Sequence, residues 1–480
     1  MQGGIFKNTG IYLLTGAVGQ ALVFVLWILL ARWLAPEEIG IYTLILFLIE
    51  LFSAIGILGL DAAVTRFYYS DVPVAKVLNN ALAILAFGNI ISIASFFIAA
   101  PFISVFLPDV SGLLEDHLFL VSCTIVANTI ANFVLVHYAA LKNAVSYSLL
   151  QFIKIFFLFS LSIALVIAGF GVPGILYALF LSSSVVALVS FVRERKTKPF
   201  GTTRVPILKD LAAYGFPLFL LSISNVFVTY FSRILLDMYT SLATLGIFSF
   251  FLSLTIQING LWSSFNRAWT PEFFSRLPDH REKAMDELIS LGYLMSFLYL
   301  AAVGILIVAG NIFLFASIFK SVYISNINLF YILLLGPLFT GIYTIAYPLY
   351  YFEKKTSRIL LVSLALSAVN FGLTFFMIRF YHQTGAALSY VVISIITAFA
   401  YLLSFRKSMS IPAEIFRWTL VLSVLAIAGI IIILTTESAF LFFVVILGGI
   451  LLSFTKSRLL QRSDDLVIFI RGLIGRFRQT

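Results

Sequence analysis

The chain has 480 residues, of which 61% are hydrophobic and only 11% are charged, and its formal net charge is +10. This composition excludes a soluble protein, because a solvated polar exterior could not cover that much apolar surface. The positive charge by itself would suit a nucleic-acid partner. The cations lie in short loops between apolar stretches, however, as membrane insertion requires, so we expect no nucleic acid among the partners.

Apolar runs separated by charged residues predict fourteen transmembrane helices, since about 20 apolar residues cross the hydrocarbon core as a helix. The first six spans are predicted at residues 11–34, 40–66, 77–107, 117–141, 147–168 and 174–192. The next six are predicted at 211–235, 245–270, 287–310, 328–351, 359–380 and 385–405. Two more are predicted at 419–435 and 439–455. The predicted fold class is therefore an all-α polytopic membrane protein.

The distribution of Lys and Arg predicts the orientation of these spans. With the N-terminus inside, all but four of the 31 cations fall on the inner side, the exceptions being Arg32, Arg233, Lys320 and Arg379. Cytoplasmic loops of membrane proteins carry such an excess of cations. We therefore predict a multi-pass protein of the plasma (inner) membrane with both termini in the cytoplasm.

A basic stretch near the middle of the sequence predicts the domain organisation. We expect an N-terminal six-helix lobe at 1–192, a basic cytoplasmic linker at 193–210, a C-terminal six-helix lobe at 211–405, two additional transmembrane helices at 406–455, and a basic amphipathic cytoplasmic tail at 456–480. A solvated, frayed tail is the alternative for the last segment.

The two predicted lobes share a sequence repeat. The triplet ILL at 28–30 leads to GIY at 40–42, and ILL at 234–236 leads to GIF at 246–248 with the same spacing. Because each lobe has an even number of spans, both insert in the same direction, and a pseudo-two-fold axis would run along the membrane normal. A cavity between two such lobes, opened alternately to each side, is the natural mechanism of a transporter.

Motifs for catalysis or cofactor binding are absent from the sequence. The match of residues 169–174 to GxGxxG lies between two predicted spans, whereas the phosphate-binding version needs a preceding strand and a following soluble helix. The single cysteine, Cys123, allows no intramolecular disulfide, and the four histidines have no metal-ligand spacing. We therefore predict no catalytic residue, no metal site and no cofactor, and we do not expect an enzyme.

Charged side chains within the spans are the candidates for function, because an Arg, Lys or Asp at mid-span costs about 2.5–3.5 kcal/mol on insertion. A cavity lined by cations would suit an anionic head group, and the predicted substrate-binding residues are Arg32, Arg66, Lys154, Arg233 and Arg267. The alternative for Arg66 and Arg267 is that they anchor helix ends at lipid phosphates. The predicted ion-coupling residues are the carboxylates Glu50 and Asp61.

Glu50 lies near the middle of the second predicted span, too deep for its carboxylate to reach the interface. Three interpretations are open: a protonated and packed side chain, a pair with a cation such as Lys154, or a site for a coupling ion, H⁺ or Na⁺. Of these we favour pairing or coupling over simple packing.

Three stretches of the sequence resemble a known family. Residues 30–69 carry an Arg before a short loop, GIY at the start of the second span, and RFY near the end of that span. The run AYGFPL at 213–218 and GIF at 246–248 accompany this pattern in the second half. Together these stretches resemble the polysaccharide biosynthesis or O-antigen (Wzx-type) flippases, a family of the MATE-like MOP exporter superfamily.

The resemblance implies two six-helix lobes around a central cavity. It implies as substrate a polyprenyl-diphosphate-linked oligosaccharide that is turned from the inner to the outer leaflet, with membrane lipids and other polysaccharide-assembly proteins as further candidate partners. Two alternatives stay open on the same fold, a lipid II flippase and a cation-coupled multidrug exporter of the MATE type. A third, of a different class, is a non-transporting scaffold of a glycan-assembly complex, in which the buried charges would be dispensable.

Overall fold

A computed structural model of the chain describes most of the predicted spans. The described residues are 2–195, 205–276, 294, 296–304, 306–307, 320–342, 344, 356–409, 413–436, 444–445 and 447–449. Predicted spans 287–310, 328–351 and 439–455 therefore lie partly outside the described residues, and the predicted tail at 456–480 lies wholly outside them.

The regular structure in the described ranges is helical. The first ten helices are α1 (Gln2–Trp33), α2 (Pro36–Ile57), α3 (Leu60–Phe67), α4 (Val74–Phe106), α5 (Pro108–Asp116), α6 (Leu118–Ala140), α7 (Ala144–Ile167), α8 (Gly171–Arg195), α9 (Val205–Tyr239) and α10 (Leu242–Arg276). They are followed by α11 (Ser321–Ile324), α12 (Ile327–Leu333), α13 (Thr356–Met409) and α14 (Ala413–Thr436).

Within the described part of the chain, ten helical segments are long and apolar enough to cross a membrane, and a shorter apolar helix covers Ile327–Ile342. The predicted all-α, multi-pass membrane protein is thereby confirmed. The total of fourteen spans stays a prediction, because three of the fourteen are only partly described.

The second predicted span, residues 40–66, is not one continuous helix. Leu58 and Gly59 both adopt left-handed backbone conformations, with φ of 49° and 70°, and they separate α2 from α3. A Cβ added at Gly59 would lie 2.1 Å from the carbonyl oxygen of Gly215 on α9, and one added at Gly88 on α4 would lie 2.3 Å from the carbonyl oxygen of Gly56. The break is therefore a point where three helix backbones approach closely, which only glycine permits.

Helix α13 covers two predicted spans, 359–380 and 385–405. It is interrupted at His382, whose φ of 48° and ψ of −128° are not helical. The predicted connection between these spans is thus a single-residue break rather than a loop.

The described helices form two compact units. The first unit is Ala21–Ser249, and the second consists of Met1–Gln20 together with Phe250–Thr480. These limits follow the packing of the helices. The predicted lobes at 1–192 and 211–405 rest instead on the basic stretch between them and on the sequence repeat, and that division stays a prediction.

Close backbone contact holds the first unit together where α2 begins. A Cβ added at Gly246 would lie 1.7 Å from the carbonyl oxygen of Pro36, and one added at Gly40 would lie 2.7 Å from the carbonyl oxygen of Leu242. The first unit also contains an apolar cluster contributed by α3, α4, α6 and α9, which includes Leu60, Val64, Val77, Leu85, Phe133 and Leu211. Small residues at a helix interface permit this approach, which gains van der Waals contact where lipid supplies no hydrophobic drive.

The second unit has an aromatic core. Phe250 and Phe251 pack against Tyr323, with ring centroids 4.8 and 6.3 Å apart, and Phe251 stacks on Phe330 at 5.5 Å. One polar contact in this unit joins α10 to α13, where Asn259 Nδ2 donates to the hydroxyl of Tyr390 at 3.0 Å.

Candidate functional site

The polar site of the first unit begins with two side chains on one face of α2. Glu50 and Ser53 are three residues apart, a spacing that brings side chains together on a helix. Asn128 on α6 reaches both of them, since its Nδ2 donates to Glu50 Oε1 at 3.4 Å and to Ser53 Oγ at 3.3 Å. Asn128 is only 3% exposed, so these contacts lie within the helix packing and not at a surface.

The opposite side of the same amide faces a cation. Lys154 on α7 donates from Nζ to Asn128 Oδ1 at 3.0 Å and to Asn132 Oδ1 at 3.1 Å. Asn128 and Asn132 are four residues apart on α6, which places both amides on one face. Only one orientation of the Asn128 amide satisfies both neighbours, with its NH₂ toward the carboxylate and its oxygen toward the ammonium.

We call Glu50, Ser53, Asn128, Asn132 and Lys154 the carboxylate–ammonium network. Within the described part of the chain, Glu50 and Lys154 are joined through Asn128 and not by a direct ion pair. Because one amide contacts both side chains, the two opposite charges nevertheless lie close enough to interact. Removing one partner of such a pair leaves an uncompensated charge, which costs far more than removing both.

Aromatic rings connect this network to α9. Phe47, one turn before Glu50, packs against Phe227 and Tyr230, in each case with ring centroids 5.7 Å apart. The guanidinium of Arg233 in turn lies over the ring of Tyr230. Tyr230 therefore connects Phe47, one turn from the carboxylate of the network, to the next cation.

Arg233 is a buried cation, only 4% exposed, on α9. Its guanidinium carbon lies 4.9 Å from the centre of the Tyr230 ring, and its Nη1 donates to the carbonyl oxygen of Thr229 at 3.0 Å. Its Nε is buried and has no hydrogen-bond partner among the described residues. A buried guanidinium with an unused donor is able to bind an anionic oxygen.

Arg66, in contrast, is an exposed cation at the end of α3. Its guanidinium carbon lies 4.4 Å above the ring of Tyr214 on α9. Asp61, at the start of α3, has a buried carboxylate oxygen, Oδ1, with no hydrogen-bond partner among the described residues. The break at residues 58–59 lies between Asp61 and the carboxylate–ammonium network.

The predicted site residues thus fall into separate places. Glu50 and Lys154 come together in one network, while Asp61 and Arg66 lie beyond the helix break. Arg32 is exposed in the last turn of α1. Arg267 lies in α10, but its side chain is outside the described residues. The substrate-binding and ion-coupling roles predicted for all seven stay predictions.

Three residues of the network, Ser53, Asn128 and Asn132, were not predicted from the sequence. Asn128 and Asn132 are amides with a spacing of four in an otherwise apolar span, and that pattern was available as a signal for a polar face. Tyr230 gave no such signal, since its position beside Arg233 depends on the packing of α2 against α9.

The family assignment comes from a sequence match. The family described as "Polysaccharide biosynthesis protein" matches the chain over residues 5–277, more than half of its length. The chain belongs to the polysaccharide biosynthesis protein family. The resemblance predicted from residues 30–69 is thereby confirmed at the level of the family. No curated protein sequence matches this member of the family.

Solved structures similar to this polysaccharide biosynthesis protein show its fold. A lipid II flippase, MurJ, in an inward closed conformation matches with a TM-score of 0.68 and 16% identity, covering 96% of this chain and 99% of MurJ. An outward-facing multidrug resistance transporter of the MATE family matches with a TM-score of 0.60 and 16% identity, over 85% of this chain and 96% of that one. A MOP superfamily transporter from Pyrococcus furiosus matches with a TM-score of 0.56 and 15% identity, over 85% and 95%. The fold is that of the MOP superfamily transporters.

Proposed function

We propose that this protein is a flippase that moves a polyprenyl-diphosphate-linked oligosaccharide from the inner to the outer leaflet of the plasma membrane by alternating access. The family match over residues 5–277 is the observation that carries this proposal, because it links the chain to polysaccharide biosynthesis. A fold shared with MOP superfamily transporters supports transport as the activity, rather than catalysis or scaffolding.

The cations of the first unit support an anionic substrate. Arg233 combines burial with an unused Nε donor, and Arg66 presents an exposed guanidinium. A lipid diphosphate carries about two negative charges and needs fixed cations when it leaves the headgroup layer. We assign these two arginines as the contacts of the diphosphate within the first unit. An exporter of cationic drugs would be expected to line its path with carboxylates instead.

The energetics of export agree with this assignment. The distribution of cations in the sequence supports cytoplasmic termini. Moving about two negative charges outward, with the inside negative, gains roughly 4–5 kcal/mol at about 100 mV. The membrane potential is therefore sufficient to bias export, and coupling to H⁺ or Na⁺ through Glu50 or Asp61 is not required by the energetics.

The second candidate is a lipid II flippase. It is favoured by one observation, the match to MurJ over 96% of this chain with a TM-score of 0.68. Lipid II is also a polyprenyl-linked diphosphate, so both candidates require the same cations, and the difference lies in the sugar.

The test is a flipping assay in proteoliposomes. A fluorescent polyprenyl-diphosphate oligosaccharide and labelled lipid II are supplied separately, and a membrane-impermeant quencher reports the leaflet. We expect the wild type to flip the oligosaccharide, and Arg66→Ala/Arg233→Ala to reduce the rate at least roughly tenfold, which corresponds to an increase of about 1.4 kcal/mol in the activation barrier. Lys209→Ala, which removes an exposed cation from the same helix as Arg233, is the matched control and should keep its rate.

Three results would contradict the proposal. Flipping no faster than in empty liposomes, with drug transport intact, would move the protein to the multidrug class. Flipping of lipid II alone would select the second candidate. An unchanged flipping rate in the double variant would show that Arg66 and Arg233 do not contact the transported substrate.

A further inference from the structure

The surroundings of the Lys154 ammonium are those of a bound cation. Two amide oxygens, Asn128 Oδ1 and Asn132 Oδ1, lie 3.0 and 3.1 Å from Nζ. The carboxylate of Glu50 supplies one negative charge from the far side of Asn128. A Lys ammonium has three N–H donors, and two of them are used by these amides among the described residues.

This set of oxygens matches the ligands of a small monovalent cation. Carbonyl-type oxygens with one nearby carboxylate are the groups that hold Na⁺ and K⁺ within membrane proteins. A single carboxylate balances one positive charge. A divalent ion would leave one positive charge uncompensated in a medium of low dielectric, which is costly. The network is therefore suited to a cation of charge +1, which is the charge of the Lys154 ammonium.

The covalent attachment of this ammonium to α7 has a structural consequence. Lys154 is on α7, whereas its two ligands are on α6 and its counter-charge is on α2. The ammonium therefore links α7 to both α6 and α2 through one side chain. A free ion bound at the same oxygens would link only α6 and α2, and it could dissociate from the site.

We propose that the carboxylate–ammonium network is a monovalent-cation site occupied by the protein's own tethered cation, Lys154, and that removing this ammonium opens the site to Na⁺, K⁺ or a small alkylammonium ion. In the wild type, Lys154 then acts as the resident cation and not as a contact of the substrate, and Glu50 is not open to an external coupling ion. The inference goes beyond the proposed function and is independent of the molecule that is transported.

Thermal unfolding of the purified full-length protein in detergent tests this inference without any substrate. Wild type and Lys154→Ala are compared in choline chloride and, at equal ionic strength, in NaCl, KCl and methylammonium chloride. Choline is too bulky for a site that holds one ammonium. We expect the wild-type Tm to be the same in all four salts. The Tm of Lys154→Ala should be lower in choline, and it should rise saturably by about 3 °C or more in at least one of the small cations.

The matched control is Glu50→Gln/Lys154→Ala, which keeps the amides but removes the negative charge. It should show no response to the choice of cation. If Lys154→Ala does not fold, Lys154→Ser serves in its place, because it is uncharged and too short to occupy the position of the ammonium. Three outcomes would overturn the inference: a Lys154 variant indifferent to every small cation, an equal response in the double variant, or an equal response in the wild type.

Discussion

The guanidinium of Arg66 lies 4.4 Å from the centre of the Tyr214 ring, and this contact joins the end of α3 to the early part of α9. The ring holds the Arg66 side chain in one direction. Because Arg66 is exposed, its N–H donors remain accessible. An arginine that is fixed but accessible is suited to meet an anionic head group. The ring and the charge belong to different residues, so the structural role of the ring and the functional role of the charge can be tested separately.

Tyr214→Leu removes the ring under Arg66 and keeps the charge. We expect a loss of about 0.5–1 kcal/mol, the value of a cation–π contact at an exposed site, which thermal unfolding in detergent would measure. Tyr214→Phe is the control, since it retains the ring face and should unfold within error of the wild type. A larger loss in the Phe variant than in the Leu variant would show that the hydroxyl, and not the ring, holds Arg66.

Arg233→Met should weaken transport without weakening the fold. The buried guanidinium has an Nε with no partner among the described residues, so its burial is only partly compensated. We expect flipping to fall at least roughly tenfold while the Tm is unchanged or higher. Arg233→Lys, which keeps the charge but loses the planar fork, should give an intermediate rate. A large fall in Tm for Arg233→Met, with normal flipping by the folded fraction, would assign this residue to structure.

Glu50→Gln should destabilise the protein, because it removes the carboxylate that is joined to the Lys154 ammonium through Asn128. The expected cost is about 2.5–3.5 kcal/mol, similar to that of a lone cation at mid-span. Glu50→Gln/Lys154→Met should recover most of this loss, since removing both charges leaves no buried charge uncompensated. Thermal unfolding of the four members of the double-mutant cycle measures the coupling. Additive losses would mean that the two charges do not interact.

Gly246→Ala should disrupt the contact at the start of α2. Its Cβ would lie 1.7 Å from the carbonyl oxygen of Pro36, so the helices must separate. Overpacking of this kind costs about 1–3 kcal/mol, and a lower Tm and yield are expected. Gly372→Ala is the matched control, since nothing lies within 4 Å of the Cβ it would add. Helix propensity predicts a neutral or slightly stabilising effect there. Equal behaviour of the two variants would contradict the close contact.

The sequence was sufficient to predict the helical spans in the described part of the chain because each signal is local. A run of apolar residues needs no knowledge of its neighbours to be recognised as a span. The break at Leu58 was not predicted, although Gly59 stands beside it. A leucine adopts φ of 49° only where the surroundings compensate its strain, and the surroundings of this turn include Gly215, which belongs to a helix far later in the chain.

The site was predictable only in its individual residues. Glu50 and Lys154 are conspicuous as charges in apolar spans, and a pairing between them was among the predicted interpretations. The amide that joins them lies 78 residues from Glu50 and 26 from Lys154. Which faces of α2, α6 and α7 meet depends on packing that no local pattern specifies. The bridging role of Asn128 therefore required the structure.

The break between α2 and α3 has a consequence for the order in which the protein is made. The turn at Gly59 is covered by Gly215, which is synthesised roughly 150 residues later, or roughly 8–30 s later at about 5–20 residues per second. During that interval the interrupted backbone faces lipid or the insertion machinery, where each unsatisfied polar group costs several kcal/mol. This turn is thus covered only when α9 arrives, and a nascent chain that stops before α9 leaves it uncovered.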